Sequence, residues 1–428
     1  MKQIIQNLKN GLIELEEVPT PNIKSGHVLI QSKFSLISSG TERMLLNFGK
    51  SSYLGKARQK PERLKEVINK AKTEGLINTW EKVQNKLSEP ISLGYSNVGI
   101  VIAVGEDVND IKVGQRVVSN GGHSEIVLVP KNLCVTLPEN VSDIEASFTI
   151  LGSIGLQSVR LAKPTLGETF VVSGLGVIGL LTAQILKAQG CDVIGIDIDK
   201  KKCESAKGLG IFTLNPNECE NLQSTILEKT NMNGVDGVIV AASTSSNEPI
   251  DLAAKISRQR GRIILVGVTG LELNRDVFYK KEISFQVSCS YGPGRYDPKY
   301  EIEGIDYPFG LVRWTERRNM EAIINLFSKK LLSIDKLITH KFDLNQFKDA
   351  YDLLESEEYF LGILLKYPKN ISYKKTLSFY ENKKNEELIL KRSKNEPIIN
   401  FIGCGNYARN VLIPIFFREK VQFNSVYA

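Results

Sequence analysis

Residues 169–197 read TFVVSGLGVIGLLTAQILKAQGCDVIGID: an apolar strand, the turn Gly174-Leu175-Gly176-Val177-Ile178-Gly179, an apolar helix, and a second strand ending on Asp197. Each glycine has a separate reason to be there. The first allows the tight turn, the second lets backbone approach a pyrophosphate, and the third lets helix and strand pack closely, while the helix N-terminus faces the phosphate charge. A glycine motif alone is a weak signal. Here Asp197 follows Gly179 by 18 residues, where a carboxylate accepts the ribose hydroxyls and repels a 2′-phosphate. The pattern predicts a dinucleotide site that favours NAD over NADP. The competing reading of Asp197 is a helix N-cap for KKKCESAKG, and Lys200, Lys201 and Lys202 would soften the cofactor preference.

Outward from this turn, runs such as VVSG, VIGID, VIVAA and IILVG are apolar on both faces, as parallel strands covered by helices are. They predict an α/β fold, with a doubly wound sheet over residues 146–284 and with Val266 and Gly267, at the end of GRIILVG, beside the cofactor. Before it, residues 1–145 show short alternating runs broken by Gly and Asn, a β-rich unit to which residues 285–367 return. Within that unit, residues 50–90 change to helical spacing and hold ten Lys or Arg against five Glu. That insertion is either a solvated face or a lid turned toward an anion. Residues 368–396 are polar and read as a linker. Residues 397–428 open a second strand, glycine turn and helix, with Gly403-Cys404-Gly405-Asn406-Tyr407-Ala408 as the turn. One such unit is too little for a nucleotide-binding domain, so the expectation is a chain cut short there, with no second cofactor.

Composition is that of a globular protein: 42% of residues are apolar and 24% charged, which excludes disorder throughout. No run approaches the length of a membrane span, and Glu14, Glu16 and Glu17 occupy the place where a signal peptide needs apolar residues. A cytoplasmic protein is expected. A net charge of +7 over 428 residues makes no nucleic-acid surface by itself. Six cysteines, Cys134, Cys191, Cys203, Cys219, Cys289 and Cys404, stand singly without CxxC, so neither a disulfide framework nor a thiolate zinc site is spelled out.

These residues together resemble the medium-chain dehydrogenase/reductases over residues 1 to about 367, through a strand and turn at SSGTE, through LGYSNVGIVIAVG and VGQRVVSNGGHSEIVLVP, and through the doubly wound core. KARQKPERLKEVINKAKTEGL, SCSYGPGRYDPKY and VRWTERRNM are similar to those of two-part oxidoreductases in which such a dehydrogenase precedes a Gfo/Idh/MocA-type domain, and FIGCGNYARNVLIPIF resembles the opening of that second module. The resemblance implies a GroES-like catalytic domain joined to a Rossmann domain, a homodimer or higher homo-oligomer, and a sugar or nucleotide-sugar substrate in surface polysaccharide assembly.

The chain departs from the zinc-dependent branch at every ligand position. Ser39 stands where that branch has a cysteine, Tyr95-Ser96 where it has His-Glu, and Gly152-Ser153 near the third ligand. Hydroxyls hold zinc poorly beside thiolate and imidazole, so no metal is expected. By the same resemblance Thr41 is the proton-relaying hydroxyl. Tyr95 is a second possible donor, and His123, in a glycine loop near the cleft, a possible acid or base. A structural role is the alternative, a turn cap for Thr41 and a core side chain for Tyr95. His27 and His340 read as structural. Arg295 and Arg313 suit an anionic sugar derivative, the alternative being ion pairs with Asp297, Glu301 and Glu316. The overall expectation is a zinc-independent NAD-dependent oxidoreductase acting on a small molecule, with no membrane or nucleic-acid partner. Its competitor is a catalytically silent, cofactor-bound scaffold for the C-terminal module.

Overall fold

A computed structural model describes residues 1–51, 90–371, 373–375, 398–405, 407–419 and 421–427. Most of the expected insertion at 50–90 and of the expected linker at 368–396 lies outside the described residues.

The N-terminal strands are β1 (Lys2–Asn7), β2 (Ile13–Glu17), β3 (His27–Ile37), β4 (Pro90–Ser92), β5 (Asn97–Val104), β6 (Arg116–Ser119), β7 (Ile126–Pro130) and β8 (Cys134–Thr136). β3 is the spine. Its eleven residues, HVLIQSKFSLI, pair antiparallel with β5 along most of their length and with β7 at the N-terminal half. Its register with β5 shifts at Leu29/Ile30 and Ser32/Phe34, irregularities that bend a strand and let it serve several partners.

The second sheet consists of β9 (Thr169–Ser173), β10 (Asp192–Ile196), β11 (Phe212–Leu214), β12 (Val235–Val240), β13 (Ser257–Leu265) and β14 (Ser284–Val287). All its pairings are parallel, in the order β11-β10-β9-β12-β13-β14. This is a doubly wound Rossmann sheet whose strand order reverses beside β9, and ligands lie at the carboxyl ends of strands at such a reversal. After it, β15 (Ile338–Asp343) and β16 (Gly362–Lys366) join the first sheet, with β16 antiparallel to β3. The protein is thus α/β, with a GroES-like β unit and a Rossmann unit.

One apolar cluster runs through both, from Leu36 and Val98 through Phe148 and Phe170 to Ile323 and Leu364. Phe148 and Phe170 are fully buried, each worth about 1.5–3 kcal/mol relative to exposure. Sharing a core in this way fixes the β unit against the Rossmann sheet.

Two sequence expectations need correction. SSGTE is not a strand and turn: β3 stops at Ile37, Ser38 caps, and a helix runs Ser39–Lys50. And the C-terminal strand β17 (Ile398–Ile402) does have a partner, because β18 (Gln422–Tyr427) pairs with it in parallel. Among the described residues no helix is long and apolar enough to cross a membrane.

Candidate active site

The glycine turn has the form its chemistry requires. Gly174 sits at φ +94°, and a Cβ there would lie 2.5 Å from Ala242 N, at the end of β12. On Gly179 a Cβ would lie 1.8 Å from the Gly174 carbonyl oxygen. Gly176 is different: a Cβ there meets nothing within 4 Å, so the space over its backbone is open. Gly176 caps the helix Val177–Ala188, and an open approach to a helix N-terminus is an anion cradle. Leu175 N–H donates to Asp197 Oδ2 at 2.7 Å and Asp199 N–H to Oδ1 at 2.9 Å. The next helix is capped by Asp199, through Lys201 N–H, and not by Asp197. Asp197 therefore links the glycine turn to the end of β10, with a lone pair free on each oxygen. Val266 and Gly267 reach the same crevice, where a Cβ on Gly267 would lie 1.9 Å from the Ala242 carbonyl oxygen. On the open backbone at Gly176 and the carboxylate at Asp197, these residues fit a dinucleotide.

A hydroxyl cluster gathers where β3 leads into the helix Ser39–Lys50 and the chain enters β5. Tyr95 Oη lies 2.6 Å from Ser38 Oγ and 3.3 Å from Thr41 Oγ1. Burial pushes the Tyr95 phenol above its ordinary range, offsetting the hydrogen bonds from Ser38 and Thr41, so it holds its proton at neutral pH. Gly94, at φ +82°, turns the chain just before it, and a Cβ there would strike the His123 ring at 2.6 Å.

His123 is fully buried rather than turned to an open cleft. Its Nε2 faces both oxygens of Glu42 at 3.2 Å, and Nδ1 faces Ser35 Oγ at 2.7 Å. Glu42 also accepts from Ser38 N–H at 2.8 Å and from Tyr351 Oη at 2.5 Å. Since a carboxylate only accepts, the network assigns the proton to Nε2 and leaves Nδ1 to accept from Ser35. Both ring nitrogens are engaged, so His123 has none left for a substrate in this arrangement. It backs the Gly94 turn and the helix that carries Thr41.

The residues at the family's zinc positions do not fit that ion. Ser39 and Tyr95 offer hydroxyls, and Ser153 is fully buried with its hydroxyl donated to Thr149 O at 2.8 Å. Among the described residues no group of three His, Cys, Asp or Glu side chains is gathered to hold a metal.

The arginines divide. Arg295 is paired with Glu301, with its guanidinium 4.4 Å from the centre of the Tyr296 ring, and its charge reaches Tyr95. Arg317 pairs with Asp110 and Glu321, and Arg318 with Asp306. The carboxylates expected at 297 and 316 take no part in these pairs. Arg313 is exposed, with no ion pair among the described residues, and stacks 3.7 Å from the centre of the Trp314 ring. Arg160 lies 3.3 Å from the same centre, and two guanidinium groups that close must cover opposite faces of the ring.

Sequence reading missed Ser38, Glu42 and Tyr351, and took Glu316 for an ion-pair partner where it is a buried acid without a hydrogen-bond partner among the described residues. Glu42 was legible as part of SSGTE, but nothing local announces a bond to Tyr351, 309 residues away.

The chain matches the family model described as alcohol dehydrogenase GroES-like domain over residues 68–139, and that described as zinc-binding dehydrogenase over residues 177–302. It is 24% identical over 310 residues to (R,R)-butanediol dehydrogenase of Bacillus subtilis, covering 65% of this chain and 81% of that one. Sorbitol dehydrogenase 1 of Saccharomyces cerevisiae is 26% identical over 382 residues, covering 80% and 92%. The crystal structure of the Bacillus subtilis butanediol dehydrogenase shares the fold, with a TM-score of 0.65 at 20% identity over 85% of this chain and 99% of that one. The two models and these relatives are dehydrogenases of the medium-chain plan, and the likeness supports an NAD(P)-dependent dehydrogenase.

Proposed function

We propose that the protein is a zinc-independent, NAD-preferring oxidoreductase that interconverts a hydroxyl and a ketone on a polyol or sugar-like substrate. The observation that carries this reading is the Tyr95–Ser38–Thr41 hydroxyl cluster, in which Tyr95 stands, by resemblance, at a ligand position of the zinc-dependent branch. The turn at 174–179, with Asp197, Val266 and Gly267, would hold the dinucleotide, which supplies the hydride when bound. In carbonyl reduction Tyr95 donates its proton to the developing alkoxide, and Ser38 or Thr41 replaces that proton from solvent. Glu42 and His123 hold these hydroxyls in place from behind. The polyol preference draws on the butanediol and sorbitol activities named for the relatives. A nucleotide-linked or acidic sugar of polysaccharide assembly is the finer form of the same reading. For it Arg313 is the better anchor, because Arg295 already faces Glu301. The unit of β17, a helix and β18 is in keeping with a second module of the Gfo/Idh/MocA type.

The test is turnover of NAD(H) and NADP(H) by the purified full chain against a panel of polyols, ketoses and sugar phosphates, before and after exhaustive chelation. Turnover that survives chelation and falls at least about a hundredfold in Tyr95→Phe, the scale of one lost proton donor, is expected. Activity restored only by zinc overturns the metal-free reading. Cofactor binding with no redox on any substrate favours the scaffold.

A further inference from the structure

Glu316 opens the helix Glu316–Ser328, is fully buried, and has no hydrogen-bond partner for either carboxylate oxygen among the described residues. Its one favourable electrostatic neighbour is Arg295, whose own Nε is buried and unpartnered while its Nη1 holds Glu301. The two are held together by backbone. Glu316 N–H donates to Pro293 O at 2.9 Å, and Gly292 and Gly294 flank that proline at φ +121° and +111°. A Cβ on Gly292 would lie 2.6 Å from Asn319 Nδ2, and one on Gly294 2.5 Å from the Tyr300 ring. The arginine loop is thus packed onto the start of the helix.

A buried acid without partners stabilises nothing as an anion, and the charge of the group it neighbours is felt at two phenols: Arg295 lies 5.8 Å from the centre of the Tyr291 ring, whose hydroxyl bonds the Asn120 side chain, and more weakly favours the ionised form of Tyr95. We propose that Glu316 is a positioning residue of the candidate active site, held neutral beside Arg295 so that the guanidinium, already met by Glu301, is not drawn to a second carboxylate and still acts on the Tyr95 hydroxyl. This rests on the reading of Tyr95 as the proton donor. With Glu316 protonated, Arg295 and Glu301 sum to zero. Once Glu316 ionises, the loop carries one net negative charge, Arg295 is drawn to a second carboxylate, and Tyr95 becomes a weaker acid.

Burial, reinforced by Glu301 and opposed by Arg295, raises the Glu316 carboxyl from 4.5 to about 8. The other titratable groups that interact with it are the phenols of Tyr291, Tyr300 and Tyr307.

Two measurements on the purified full chain test this without any substrate. The first is unfolding of the wild type and Glu316→Gln from pH 5 to 9. An acid raised in the folded state destabilises above its unfolded pKa. The wild type should therefore lose ground to the variant by about tenfold in unfolding constant per pH unit up to about pH 8, then no further. A gap that does not change with pH, or a variant less stable than wild type at pH 8, overturns the proposal. The second is tyrosinate absorbance on alkaline titration, with the Tyr95 contribution isolated by subtracting Tyr95→Phe in each background. Glu316→Gln should lower the Tyr95 midpoint by about half a unit, roughly threefold in acid constant, whereas Glu316→Asp should leave it near wild type. An unmoved midpoint in the Gln variant shows a carboxyl that is only structural. A protein that turns over no alcohol would defeat the redox reading, while both titrations would still decide this one.

Discussion

The Glu42 carboxylate accepts from a backbone amide, an imidazole and a phenol in a place that water does not reach. Replacing it with glutamine keeps the shape but turns an amide NH2 toward groups that are themselves donors. Each donor left buried and unmet costs about 1–3 kcal/mol. Glu42→Gln is expected to lower the unfolding free energy by about that much, seen as a lower urea midpoint with an unchanged slope, and a midpoint equal to wild type would show that the network carries no stability. Asp197 makes the opposite case. Its place at the end of β10 beside the glycine turn follows from local spacing, 18 residues past Gly179, and so was legible in the sequence. Asn at this position keeps one acceptor for Leu175 N–H but loses the charge that rejects a 2′-phosphate. Asp197→Asn should narrow the NAD over NADP preference about tenfold, or about 1.4 kcal/mol, by fluorescence titration with each reduced cofactor. Equal affinity of the wild type for both would remove Asp197 from that role. Glu42 and Tyr351, by contrast, meet only because β16 returns the chain to β3, and no local pattern encodes that meeting.

Among the elements, the strand, glycine turn and helix around Gly174–Gly179 follow from short-range chemistry: a positive φ, a backbone contact and an open cradle belong to three different glycines. They should separate by mutation. Gly179→Ala must push its methyl into the Gly174 carbonyl and is expected to cost about 3 kcal/mol or more, seen as a lowered Tm and lost cofactor binding together. In Gly176→Ala the methyl enters open space, so Tm should stay within about 1 °C while dinucleotide affinity falls at least tenfold, because the space it fills is the one the pyrophosphate needs. A Gly176→Ala protein that binds NADH normally would show that the cradle is not used. The helix Ser39–Lys50 was less legible, since Ser, Gly and Thr at its start favour turns. What holds it is tertiary: Glu42 reaches back to Ser38 N–H and is itself held by His123 and Tyr351. The arginine-rich stretch 313–318 was legible as basic, yet its pairing with Asp110 and Asp306 depends on loops that only the fold brings near.

For the whole molecule, the unmet element is the edge of the Rossmann sheet. Among the described residues β14 pairs only with β13, which leaves its outer side without a strand partner and Ser284, Gln286 and Val287 exposed, Val287 at 57%. Proteins that leave such an edge bare usually guard it with charge or proline, and SFQV has neither. Exposed Tyr279, beside this edge in sequence, adds apolar surface. We therefore expect a second copy to add its own β14 antiparallel across a two-fold axis, the arrangement in which one patch completes itself and this edge is paired. In that dimer Val287 sits at the seam, so Val287→Lys brings two ammonium groups together and should shift a micromolar sample from dimer to monomer in sedimentation velocity. The same substitution in a monomeric protein would change nothing. A wild type that sediments as a monomer at micromolar concentration, or a Val287→Lys protein that remains dimeric, would mean that another face, or no face, joins the copies.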